Sequence, residues 1–563
     1  MNTRSILCQR LTSRALWLAI LVALGLIVAL FAACGAPPEP YLTPTPTRTR
    51  RPPTPTPTPI PSPTPTPAWP VTASCRGAVP EDVCEHLRDA VRQDPEHFVW
   101  VEDAALADVQ VGTDETVANG RPFATWVYAL VAPFFTIEDR VSSGDLEGAW
   151  MGEALGPFSG HPLLVSSSQA RGIPLGAPGQ DVAVVEASQV LTEAIQRDAW
   201  AILPFQDLDP RWKVLRVDGM SPLDRELDVE AYPLATSLYL GSETRPDALF
   251  LLPEDITDRD LEKMSVVMLT GVTALTRGTA RTMEREGVIY PARDIRDWLL
   301  EPDITHISNE VSFAEDCPAP TAESTLVFCS DPRYFELMEY VDTDVLELTG
   351  NHLLDWGVSA MNNSLRLYEE RDLPFFGGGW TLAEARQPLT LTHGVHTFGF
   401  VGCNPVGPSY AWATAERPGA ASCDYELLAD QVRELRERGV IPIVTFQYWE
   451  FDQYAPTTRQ QTDFRMAADA GAAIVSGSQA HWPQGFKFHE GAFVHYGLGN
   501  LFFDQMQRLE YRQQFLDRHV FYEGRHISTE LLTTMLEDYA RPRPMTEEER
   551  RAFLEATFAV SEW

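Results

Sequence analysis

The chain has 563 residues, enough for two or three domains with separate cores. Hydrophobic residues make up 44% and charged residues 22%, which describes a globular protein and excludes a largely disordered or fibrous one. With 79 acidic against 44 basic side chains the net charge is −35, so nucleic acid is excluded as a partner, and a polyanionic ligand would need a cation or a local basic pocket.

Residues 1–34 read as a secretory lipoprotein signal. Arg4, Arg10 and Arg14 precede an uncharged apolar run over 15–33 that ends in "LFAAC". Cys34 is then the lipidation site and the mature N-terminus, with Phe31 standing where Leu is usual. The alternative is an uncleaved membrane helix, since about 19 apolar residues can span a bilayer. Both readings anchor the protein at the cell membrane and leave the rest of the chain on the extracytoplasmic face. Residues 35–72 alternate Pro and Thr, which cannot build a core and favours an extended polyproline II stalk of about 3.1 Å per residue.

Six cysteines remain beyond Cys8 and Cys34, in three close pairs: Cys75 with Cys84, Cys317 with Cys329 and Cys403 with Cys423. In an exported chain they read as disulfides, and the absence of any C-x-x-C spacing argues against a thiolate metal site.

Over 73–245, apolar runs such as "ADVQVG", "WVYALVAPFF", "PLLVSS", "DVAVVEA" and "AWAILPF" alternate with helical patterns, which predicts an α/β domain with a mixed or parallel sheet. "ATWVYALVAPFFTIEDRVSSGDLEGAWMG" with "AYPLATSLYLG" resembles the type-2 periplasmic substrate-binding fold, which implies a small solute as ligand; a plain α/β domain without a ligand is the alternative. Over 260–535 a second α/β domain is expected, with strands at "SVVMLTG", "DITHIS", "DVLELTG", "HTFGFVG", "IPIVTF", "AAIVSG" and "FVHYGLG". Residues 536–563 are expected to form a helical tail.

The carboxyl ends of these strands, where open α/β folds gather their chemistry, supply "ISNEVSF", "LTGNHLLDWG", "VTFQYWEF", "SGSQAHWPQ" and "YGLGNLFFDQ". Their order and spacing resemble the poly-γ-glutamate capsule synthesis (CapA) family, whose domain has a calcineurin-like metallophosphatase fold. The resemblance covers about half of the chain. It implies a two-sheet sandwich flanked by helices, with divalent ions held where carboxylate, amide and imidazole groups meet and acidify a water. Carried over by position, Asn309 and Glu310 match the family's Asn-x-Glu, and Asn351 and His352 its Asn-His. Glu450 matches the acid after its His-Trp-Gly, and His481 the last His of its two-His loop. Glu310, Asn351, Gln479 and His481 are thus the expected metal residues, and His352 and Glu450 the expected catalytic ones.

The departures reduce this site. Val272 stands where the family has a ligand Asp, the family's His-Trp-Gly appears as Phe446-Gln447-Tyr448 with no imidazole, and "GSQAH" keeps only the second His of its loop. The remaining side chains are expected to hold one divalent ion at most. Gln447 and Gln479 are equally able to bond each other, Asn500 is read as turn chemistry, His495 as structural and "FGGGW" as a tight turn. The implied function is a membrane-anchored extracellular protein of capsule or poly-γ-glutamate biosynthesis, acting as a metal-assisted hydrolase, by amide chemistry or on the anionic polymer itself. A non-catalytic binding lipoprotein and a one-metal phosphoesterase are the alternatives. Cys34→Ala is expected to release the protein from the lipid fraction or leave it unprocessed; unchanged lipid labelling would refute the anchor.

Overall fold

Strand Met264–Thr270 is buried at all its positions, and its side chains divide by parity between two cores. Val267 and Leu269 enter a layer with Phe398, Phe400, Ile443, Ile474 and Phe493, whereas Met268 joins Ile307, Leu346 and Leu365 on the other side. The two-residue alternation of a strand makes this division, and continuous apolar runs arise where both faces are covered. Strand Ile441–Phe446 behaves alike, with Ile443 in the shared layer and Val444 facing the helices Tyr425–Glu437 and Thr458–Ala470.

The computed structural model describes residues 69–563 apart from 78, 114–116, 169, 171 and 321–325. The signal segment, Cys34 and most of the linker lie outside the described residues. Among the described residues, no helix is long and apolar enough to cross a membrane. The three cysteine pairs are joined as expected, with Cα–Cα separations of 5.8, 5.7 and 5.0 Å.

The C-terminal domain is a two-sheet sandwich flanked by helices. One sheet runs in the order Phe375–Phe376, Val345–Glu347, Ile304–Asn309, Met264–Thr270, Gln513–Tyr522, Arg525–Glu537, Arg541–Pro544. The other runs Leu389–His393, His396–Cys403, Ile441–Phe446, Ile474–Ser476, Ala492–His495, Phe486–His489. Parallel pairing within each sheet carries strand ends of both to one edge. The N-terminal lobe is an α/β domain built on strand Arg121–Pro133, which pairs with Ala235–Gly241 along its first half and with Trp200–Pro204 along its second. Its core continues through Met264, Val266, Val520, Tyr522 and Ile527 of the sandwich.

Two expectations change. The "FGGGW" stretch is two short strands, Phe375–Phe376 and Gly378–Gly379, joined through Gly377 at φ +72. The expected helical tail begins with the end of strand Arg525–Glu537 and strand Arg541–Pro544 before helix Glu547–Phe558. The helix is capped by Thr546 and Glu549, which bond reciprocally. Its Arg550 reaches the N-terminal lobe and donates to both Asp139 oxygens at 2.7 and 2.9 Å. Lys213 Nζ lies 2.7 Å from the same carboxylate, and these cations hold Asp139 below the usual carboxylate range against the effect of its burial.

Between the sheets, the aromatic layer encloses a polar group. His495 Nδ1 lies 2.6 Å from Asp517, and His519 bonds Thr529 at 2.9 Å beside the His526 ring, 5.3 Å away. Burial lowers the His526 pKa from 6.5 to about 4. Above pH 6.5 this ring is neutral folded or unfolded; as pH falls from 6.5 towards 4, only the unfolded chain takes up the proton. Unfolding free energy should therefore drop over that window by roughly 2–3 kcal/mol. Urea titrations at pH 7 and pH 5 measure it, and His526→Phe should flatten the slope; an unchanged slope would remove His526 as its cause.

Candidate functional site

Strand Ile304–Asn309 brings His306, Ser308 and, one residue past its end, Glu310 to the edge at two-residue spacing. Glu347, Thr349 and Asn351 follow the same spacing from strand Val345–Glu347. The loop after Ile474–Ser476 meets them from the other sheet. Ser478 Oγ donates to Glu347, Gln479 Nε2 donates to Ser308 Oγ at 2.6 Å, and His481 follows. Gly350 presses on the Glu310 backbone so closely that a Cβ there would lie 2.4 Å from Glu310 Cα. Only glycine permits that approach, which sets Asn351 and His352 beside Glu310; Val311 and His352 form a bridge.

Glu310 is fully buried, and neither carboxylate oxygen has a hydrogen-bond partner. Burial raises its pKa, and the positive fields of His481, His352 and Arg277 oppose that rise. Asn351 Oδ1 and Gln479 Oε1 are likewise buried acceptors without a donor.

His481 Nδ1 lies 2.6 Å from Asn500 Oδ1, and its Nε2 lies 3.4 Å from Glu450 Oε1. Burial works against charge on this ring, but Glu450, Glu310 and the Asn500 bond outweigh it and raise the pKa to about 9. The imidazolium in turn pulls Glu450 down to about 2. His352 is held by Asp355, Nδ1 to Oδ2 at 2.6 Å, and its side chain is 17% exposed, so Nε2 is the nitrogen left to exchange a proton. Burial opposes charge here also, yet Asp355 and Glu310 raise the pKa. Phe328 lies against His352 at 4.2 Å and Phe503 stacks on His481 at 5.0 Å. These phenylalanines lie 6.2 Å apart, and the Arg277 guanidinium covers both, at 4.8 and 4.9 Å. Arg277 takes φ +45 at a helix start and ion-pairs with Asp504. A non-glycine residue in that region is strained.

Glu310, Asn351, His352, Glu450, Gln479 and His481 thus face one edge of the sandwich. Asn309 commits its amide nitrogen elsewhere, donating to Val311 O at 2.9 Å and Tyr368 Oη at 3.1 Å, and its Oδ1 is a further buried acceptor without a partner. Gln447 and Gln479 do not bond each other: Gln447 Nε2 reaches Tyr448 O, and Gln479 reaches Ser308. Asn500, read as turn chemistry, begins a strand and anchors the His481 ring. Arg277, Phe328 and Phe503 were not anticipated; Arg277, in "LTRG", carries no motif. His495 is structural.

Comparison with known proteins agrees with the motifs. Residues 266–505 match the family model described as bacterial capsule synthesis protein PGA_cap, and this part of the chain is homologous to CapA proteins. The capsule biosynthesis protein CapA of Bacillus anthracis is 25% identical over 260 residues, covering 44% of this chain and 62% of the relative. The PGA biosynthesis protein CapA of Bacillus subtilis strain 168 is 27% identical over 172 residues, covering 30% and 45%. The chain thus spans about half the length of these relatives. Among solved structures, the Haemophilus influenzae NAD nucleotidase NadN superposes with a TM-score of 0.29 at 9% identity, over 53% of this chain and 57% of that one. An ABC-type phosphate transport receptor from Vibrio cholerae gives 0.27 at 15%, over 32% and 90%.

Since its folded pKa lies above 6.5, the charged His481 ring stabilises the fold fully below pH 6.5, and that contribution is lost as pH rises through about 9. In an NMR titration, His481 should titrate near 9 in the parent and move towards 6.5 in Glu450→Gln; an unmoved midpoint would dismiss the ion pair.

Proposed function

We propose that this protein acts at the outer face of the cell membrane in the biosynthesis of a capsule or poly-γ-glutamate polymer, through a reduced form of the metallophosphatase-type site. The observation that carries this reading is the meeting of Glu310, Asn351, Gln479, His481 and His352 at one strand edge inside the segment that matches the capsule-synthesis family. The residues present suit one cation, not a pair. At this strand edge Glu310 is the one carboxylate among the orphaned acceptors of the described residues, Val272 stands where the family pattern places a ligand Asp, and Phe446-Gln447-Tyr448 supplies no imidazole. A bound ion would supply Lewis acidity towards a carbonyl or carboxylate oxygen.

The chain's own side chains divide the rest. His352, backed by Asp355, moves a proton at Nε2. The His481 imidazolium and Arg277 offset negative charge next to Glu310, which a protein of net charge −35 needs in order to accept an anionic polymer end. The lipid on Cys34 and the Pro/Thr stalk keep this site near the membrane, and the N-terminal lobe would supply a small-solute site.

The test is replacement of a bacterium's own CapA-type protein by this chain. Wild type should restore surface polymer, whereas His352→Ala should reduce it at least tenfold with an unchanged circular dichroism spectrum. Full restoration by His352→Ala would refute a chemical role and favour the non-catalytic binding lipoprotein.

A further inference from the structure

The fold family's usual centre draws on imidazoles as well as carboxylates, and the donor set here departs from it. Both His481 nitrogens are engaged, one by Asn500 and the other by Glu450. His352 Nδ1 is engaged by Asp355. Among the described residues, no three His, Cys, Asp or Glu side chains gather into a metal-binding group. What gathers is oxygen: both oxygens of Glu310, Asn351 Oδ1 and Gln479 Oε1 are all buried without a partner. Thr273 Oγ1 is another such atom, on the residue whose carbonyl accepts from Glu310 N at 3.1 Å.

Buried polar atoms are almost always paired, because an unpaired one costs about 1–3 kcal/mol. Five unpaired oxygens on four residues that meet at one strand edge therefore point to a common partner. All accept, apart from the Thr273 hydroxyl, which can also donate, so a cation or water must meet them. The amide nitrogen of Gln479 is already committed to Ser308, which turns its oxygen into the free end.

We infer that Glu310, Asn351 and Gln479, with Thr273, form an oxygen-only site for one hard divalent cation, Ca2+ or Mg2+, with His481 outside the coordination sphere. Carboxylate, amide and hydroxyl oxygens suit hard ions, whereas borderline ions such as Zn2+ gain most from imidazole and thiolate. The inference rests on the reduced site proposed above and names the ion that it selects.

The experiment uses the full-length protein purified in detergent and stripped with a chelator. Ca2+, Mg2+ and Zn2+ are titrated separately by calorimetry, with thermal unfolding in parallel. Ca2+ or Mg2+ should bind at one per chain and raise Tm, and Zn2+ should bind at least tenfold more weakly than the better of the two. Glu310→Gln should weaken the hard ion at least tenfold, and its ion-free Tm should not fall, because a buried charge has been removed. Asn351→Leu should weaken binding as well, and His481→Gln should leave it within about threefold. Preferred Zn2+, loss of binding in His481→Gln, or no ion raising Tm would each overturn the inference; the last would assign the oxygens to water. None of these outcomes alters the surface-polymer test, so the two readings fail separately.

Discussion

The Glu347 carboxylate sits at the meeting of the two sheets, with no solvent exposure, and takes partners from both. His306 Nδ1 accepts from Thr270 N at 3.4 Å, which leaves Nε2 to donate to Glu347 Oε2 at 3.1 Å; Thr349 donates to Oε1 at 2.6 Å, and Ser478 arrives from the other sheet. Burial alone would push this carboxyl up, yet these bonds hold it below its ordinary value. A buried charge with each partner in place is costly to break, about 3–5 kcal/mol when one side is removed. The contact therefore fixes the register of the loop after Ile474–Ser476 against strand Ile304–Asn309. Gln479 next to Ser308 and His481 next to Glu310 both follow from it.

The site divides electrostatically along that register. On one side His481, Glu450 and Asn500 form a closed unit whose charges answer each other. On the other, Glu310 is flanked by neutral amides, which cannot titrate and cannot offset its charge. Gln447 and Gln479 bring no protonatable group to the floor of the site. The acid–base capacity is left with His352 at the open side, supported by Asp355 and by Tyr410, whose hydroxyl lies 3.1 Å from the second Asp355 oxygen.

Much of the sandwich was legible because its strands are buried on both faces and read as uninterrupted apolar runs that end in glycine or a polar residue. The long hairpin Gln513–Tyr522 and Arg525–Glu537 was harder to see. Its inward positions include Asp517 and His519, which look like surface residues and break the apolar count. The one local cue was Glu523-Gly524, a two-residue turn in which both residues have positive φ, at 47 and 78. Within the site, residues with a motif were found and residues that serve through shape were not. Phe328 and Phe503 act by stacking, and Arg277 by lying across them, interactions that depend on three segments meeting and leave no spacing pattern in any one of them. Asn500 was seen, but its role depends on a ring 19 positions away.

The ion pair between Arg550 and Asp139 spans 411 positions of sequence. A chain synthesised from its N-terminus delivers Asp139 early and Arg550 almost last. Until then, Asp139 has Lys213 as its cation, and Phe135 lacks the Phe558 and Trp563 rings that cover it at 5.2 and 4.7 Å. The first lobe thus gains these contacts only once the end of the chain has been made. Contacts of such sequence separation slow folding and leave apolar surface open to aggregation until they form. The closing helix is therefore a late clasp on surface that the first lobe's own strands and helices leave uncovered.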